Sequence, residues 1–173
     1  MYMYTAKKII LPGVFTALLL GAQLVLSGVS GIELVTVLFL TFAYKYGIKQ
    51  GLFVANAFSL LRCFLFGFYP NVLILYLVYY NLLAVIFGGI GRLFKGEFTS
   101  KKHILLIVMA VVTTALFTMI DNVVTPLVYA FTWKATKAYF LASLYTMFPQ
   151  MLCAAVTVTF IFPPLFKILR LFD

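Results

Sequence analysis

Arg62 lies in Phe58-Ser59-Leu60-Leu61-Arg62-Cys63-Phe64-Leu65-Phe66-Gly67, a stretch apolar enough for lipid that carries a permanent charge. An arginine facing hydrocarbon is costly. It therefore either snorkels to a nearby interface or faces a protein interior, a carboxylate or a watery cavity. Glu33 and Asp121 are the carboxylates within reach of apolar runs, and Asn81, Asn122 and Gln150 are the amides. Tyr76 and Tyr80 stand one helical turn apart and offer stacking faces with hydroxyl handles, or simple packing. Charge, amide and aromatic groups in such company suit recognition of a small hydrogen-bonding solute. They suit equally a structural lock between helices.

Bond-making chemistry is not expected. His103 is the single histidine, and it sits beside Lys101 and Lys102 at a boundary, where a solvated role is expected. Cys63 and Cys153 fall in different apolar runs without metal-ligand spacing, so no metal or cofactor is expected. A serine nucleophile lacks a histidine at its depth, and an intramembrane aspartyl pair would need a second aspartate beside Asp121. The cluster Gly88-Gly89-Ile90-Gly91 reads as close packing or a helix end rather than a phosphate loop.

The elements that must position these groups follow from composition. Of 173 residues, 65% are hydrophobic and 10% charged, with mean hydropathy +1.13; soluble domains run near 45–50% and about 25%. The chain is read as an all-α integral membrane protein, one transmembrane domain over 1–173. Spans are expected at 9–28, 32–46, 51–68, 71–94, 103–131 and 138–166. Pro126 and Pro149 are expected to kink the last two and free the carbonyls of Asn122 and Tyr145. The N-terminus leads into the first span without a small-residue cleavage site and is expected to be retained. Pro163 to Arg170 reads as a short amphipathic surface segment.

The formal charge of +9 would suggest nucleic acid in a soluble chain, but here the cations punctuate apolar runs. Lys7, Lys8, Lys45, Lys49, Arg92, Lys95, Lys101, Lys102, Lys167 and Arg170 fall on one side, against Lys134 and Lys137 on the other. The positive-inside rule then predicts an N-in/C-in bundle. The outer connections are Ser27–Gly31, Tyr69–Asn71 and Thr132–Lys137. At about 1.5 Å per residue, Gln23, Glu33, Arg62, Asp121 and Asn122 share the outer half. Thr114, Thr118, Asp121 and Thr125 recur at offsets of 4, 7 and 11, which puts them on one helical face. Trp133 is read as an interfacial anchor or as a lid. Gly13, Ala17 and Gly21, four residues apart, form a smooth strip that suits either packing within the bundle or a partner helix.

The Gly13/Ala17/Gly21 strip and the passage Ile32-Glu33-Leu34-Val35-Thr36, in a six-helix chain of 19.5 kDa, resemble the S component of energy-coupling-factor (ECF) vitamin transporters. This is the substrate-binding membrane subunit. The family's first helix typically carries an Ala-x-x-x-Ala strip; glycine replaces two of the alanines here. The resemblance implies high-affinity capture of a water-soluble vitamin or precursor at an outward-facing site. It also implies docking of the strip on a membrane scaffold subunit, with two ATPase subunits supplying energy. Hydroxymethylpyrimidine or a pyridoxine-type heteroaromatic leads the substrate expectations, and cobalamin is a further one. The expected substrate-binding set is Glu33, Arg62, Tyr76, Tyr80, Asn81, Asp121, Asn122 and Gln150, with Gly13, Ala17 and Gly21 for docking. A stand-alone small-solute transporter or channel, or a structural membrane adaptor, are the alternative classes.

Overall fold

The computed structural model describes residues 2–28 and 34–171, with side chains from Ile9 onward. Five helices account for nearly all of it: α1 (Tyr2–Leu26), α2 (Val35–Phe66), α3 (Pro70–Leu93), α4 (Ser100–Val128) and α5 (Trp133–Arg170). All five are long and apolar enough to cross a membrane. The architecture is thus that of a multi-pass helical membrane protein, with five helices where the sequence led us to expect six.

The difference in number lies in α2, which joins most of the expected spans 32–46 and 51–68 in one element. Gly47 interrupts it at φ 81°, ψ 179°. A methyl built on Gly51 would lie 3.3 Å from Cβ of Ala43. In a straight helix those positions are separated by about 12 Å along the axis. The arms 35–46 and 48–66 therefore fold back on one another, and both pack on α3. Phe39 meets Tyr80 edge-on at 5.2 Å, while Phe58 meets the same ring at 5.0 Å.

Small residues make that reversal possible. Ala84, Gly88 and Gly91 form a stripe on α3, and a methyl built on Gly88 would come within 2.6 Å of the Ile48 nitrogen. One on Gly91 would collide with the Tyr44 carbonyl. Lipid tails are as apolar as leucine, so close backbone approach rather than water exclusion holds such seams together. Gly88-Gly89-Ile90-Gly91 is accordingly a packing seam. Gly47→Ala should destabilise the protein by about 1–3 kcal/mol through backbone strain alone, since nothing crowds its Cβ position. The unfolding midpoint in detergent would measure this.

Around this centre, α2, α3, α4 and α5 close a ring, and α1 lies against α2. Phe15, Thr16 and Leu19 form the buried face of α1, with Phe15 tilted on Phe42 at 4.6 Å. The buried residues of α5 begin at Met147. Its last turns are held by Phe162 and Phe166, edge-on to Tyr44 at 5.7 and 5.6 Å. Two boundaries differ from expectation. Lys134 and Lys137 belong to the first turns of α5, and α5 runs unbroken through Pro163 and Pro164 to Arg170. The aromatic contacts of Phe162 and Phe166 span the two prolines and hold the helix in place. His103 is half-buried rather than solvated: its Nε2 lies 3.0 Å from the Val158 carbonyl, and its ring faces Phe98 and Phe162.

Candidate functional site

The ends of α1 and α4, the starts of α3 and α5, and the second arm of α2 meet at one end of the bundle, opposite the Gly47 reversal. Two polar groups form there, separated by an aromatic wall. In the first, the Arg62 guanidinium lies over Tyr76 at 4.5 Å and over Phe66 at 5.0 Å. Gln23 of α1 donates to the Tyr76 hydroxyl at 2.7 Å. Two buried atoms here, Arg62 Nε and Gln23 Oε1, have no hydrogen-bond partner among the described residues.

In the second group, Asp121 accepts hydrogen bonds from Thr125 and Tyr139, both at 2.6 Å. Asn71 donates to Thr125, and Tyr129 donates to Asn71, each at 3.1 Å. A cleft of about 260 Å³ opens beside Asp121 between α4 and α5, lined also by Phe117, Thr118, Ser143, Thr146 and Gln150. Its cause is visible in the sequence. Tyr139, Ser143, Thr146 and Gln150 repeat the 4, 7, 11 offsets of Thr114, Thr118, Asp121 and Thr125, so two polar stripes confront one another. Facing stripes of this kind cannot interdigitate as an apolar seam, and α5 buries its side chains only further along. Phe117 links the groups: it meets Tyr76 edge-on at 6.1 Å and also lines the cleft.

The expected residues are distributed as follows. Arg62 and Tyr76 join the first group, Asp121 and Gln150 the second, and Tyr80 is buried within the aromatic wall. Asn122 donates to Ser143 at 2.8 Å and leaves its buried Oδ1 without a partner among the described residues. It borders a neighbouring cavity that Trp133 and Lys137 also line, where Lys137 sits over the indole ring at 5.1 Å. Asn81 joins neither group. It exchanges reciprocal amide hydrogen bonds of 3.1 and 3.2 Å with Asn56. Of the two carboxylates that could lock Arg62 to another helix, Asp121 does not pair with it, because hydroxyl groups of Thr125 and Tyr139 satisfy the aspartate. Glu33 lies outside the described residues. The single ion pair among the described residues joins Lys102 to Glu97.

Sequence reading passed over Gln23, Tyr139, Ser143 and Thr146 as site residues. The repeated offsets on α5, all inside the expected span 138–166, were the signal for three of them and went unread. Gln23 had no local signal, since only packing brings it to Tyr76. Compared with protein families, curated proteins and solved structures, the chain has no match.

Proposed function

We propose that the chain is the substrate-capture subunit of an ECF-type importer for a water-soluble vitamin or precursor, residing in the cell membrane with both termini inside. The carrying observation is the set of partnerless buried atoms at one end of the bundle: Arg62 Nε, Gln23 Oε1 and Asn122 Oδ1. Buried polar atoms are nearly always satisfied, so Arg62 Nε and Gln23 Oε1, a donor and an acceptor left open beside the aromatic wall, suit a ligand that completes them, while Asn122 belongs to the neighbouring cavity. A small hydrogen-bonding heteroaromatic, hydroxymethylpyrimidine or a pyridoxine-type ring, matches both the wall of Tyr76 and Phe117 and the size of the Asp121 cleft. The two arms of α2 act as separate crossings in this reading, which makes six passes and keeps the termini together.

The outward strip supports a partner rather than a solitary transporter. Gly13, Ala17 and Gly21 are exposed, and nothing lies within 4 Å of a methyl built on either glycine. Packing among the described residues does not use them, so their smoothness is available to a scaffold helix. Ala17→Leu is expected to block assembly with the scaffold and ATPase subunits while leaving ligand affinity within twofold, read by co-purification and by binding. Loss of ligand binding with assembly intact would sink the docking role.

The direct test is radiolabelled hydroxymethylpyrimidine and pyridoxine binding to the purified chain, with co-purification from the native membrane. Saturable binding together with two ATPases supports the proposal. Absence of binding to both compounds rejects the heteroaromatic assignment. Transport by the chain alone in liposomes would establish the stand-alone reading, and a partner without any solute would establish the adaptor.

A further inference from the structure

At the opposite end, the Gly47 reversal, the end of α3 and the end of α5 enclose a cleft of about 630 Å³. Lys45, Arg92, Lys95 and Arg170 line it, and no acidic side chain does so among the described residues. Glu97, two residues from Lys95, is held by Lys102 at 3.1 Å, and Asp173, three residues from Arg170, lies outside the described residues. Four cations, from α2, from α3 and the turn that follows it, and from α5, thus line one concavity, Lys45 among them already engaged with another group.

The Arg170 side chain and the backbone that carries Lys95 are fixed in place. The Arg170 guanidinium donates to the Gly96 carbonyl at 2.9 Å and lies over the Phe166 ring at 4.8 Å, which leaves further N–H groups for a ligand. Lys95 is held by the turn that ends α3. Gly96 N–H donates to the Gly91 carbonyl at 2.9 Å, and Lys95 N–H donates to that of Arg92 at 3.1 Å. This is the Schellman arrangement, whose left-handed position usually carries glycine. Here lysine occupies it at φ 51°. Attraction of cations to the carbonyl end of α3 accounts for one or two such groups. That attraction and the one-sided bias of cations in a membrane protein cover the number of charges, but neither accounts for lysine at a left-handed position that strains it.

We propose that this cleft binds the phosphate of an anionic ligand, the headgroup of an anionic phospholipid above all. Its position at the end of apolar helices puts it at headgroup level, where basic pockets between spans take such groups. The test uses the full chain in nanodiscs of phosphatidylglycerol or phosphatidylcholine, and in detergent with inorganic phosphate.

Phosphatidylglycerol is expected to raise the unfolding temperature above that in phosphatidylcholine, and Lys95→Gly and Arg92→Gln should each weaken lipid affinity roughly fivefold. Lys95→Gly removes the backbone strain, so ligand-free stability should rise while the lipid response falls. Simple misfolding cannot produce that pair of changes. A matching shift with millimolar inorganic phosphate, lost in the same variants, would assign the phosphate to a soluble source. Equal stability in both lipids without a phosphate effect overturns the proposal, as does an equal loss of the response in Lys134→Gln/Lys137→Gln at the other end.

Discussion

Gly91→Ala is expected to destabilise the protein by about 3 kcal/mol, the upper end of what overpacking costs, whereas Gly89→Ala should be neutral or stabilising by up to about 1 kcal/mol. The two glycines are two residues apart in one helix, and their surroundings are opposite. A methyl on Gly91 meets the Tyr44 carbonyl, while one on Gly89 meets nothing within 4 Å. Neither partner at Gly91 can yield easily, because both are backbone. Moving the Tyr44 carbonyl would shift the arm that enters the Gly47 reversal. It would also disturb the hydrogen bond from the Tyr44 hydroxyl to the Glu97 carbonyl, at 2.6 Å. Reversible unfolding in mixed detergent would give both values. Similar midpoints for the two variants would mean that the arms of α2 do not meet α3 as described.

Arg62→Met should leave ligand-free stability unchanged or slightly higher, while ligand affinity falls at least roughly 30-fold, the smaller end of what losing one partner of a buried charged contact costs. The two halves of the prediction have separate causes. A charge within a membrane span costs about 2.5–3.5 kcal/mol, and aromatic faces return about 2 kcal/mol when desolvated. No carboxylate among the described residues pairs with Arg62. Methionine fills a similar volume and keeps favourable contact with Tyr76 and Phe66. The guanidinium charge and its N–H donors, the partnerless Nε among them, are lost, and these are the features available to a ligand. Arg62→Lys should recover little, because an ammonium neither stacks nor presents a planar fork. Calorimetric binding beside thermal unfolding separates the outcomes: a large loss of stability with binding intact would make Arg62 a structural residue.

The helical, membrane-spanning character of the chain was legible because apolar runs of span length leave few other folds. The gathering of polar groups at one end was legible for the same reason, since rise per residue converts position into depth. The face carrying Thr114, Thr118, Asp121 and Thr125 could be read from its offsets, and these threonines are buried. The same arithmetic applied to Tyr139, Ser143, Thr146 and Gln150 would have found the other side of the cleft. Depth does not say which helices are neighbours. Asn81 and Arg62 belong to adjacent elements, yet the rotation of α3 sends Asn81 to Asn56 and Tyr76 to Arg62.

By itself, the sequence determined the helical character of the chain, runs long and apolar enough to span a membrane, and the place of each described polar group along its helix. These depend on composition and on distance along a helix, which are local properties. Tertiary structure alone decided the reversal at Gly47, the satisfaction of Asp121 by hydroxyls instead of Arg62, and the outward exposure of the Gly13/Ala17/Gly21 strip. It also decided the meeting of Lys45, Arg92, Lys95 and Arg170 in one cleft. Each of these depends on the rotation of one helix about its axis against another, which is set by side-chain interlock across the whole ring and by no single stretch of the chain.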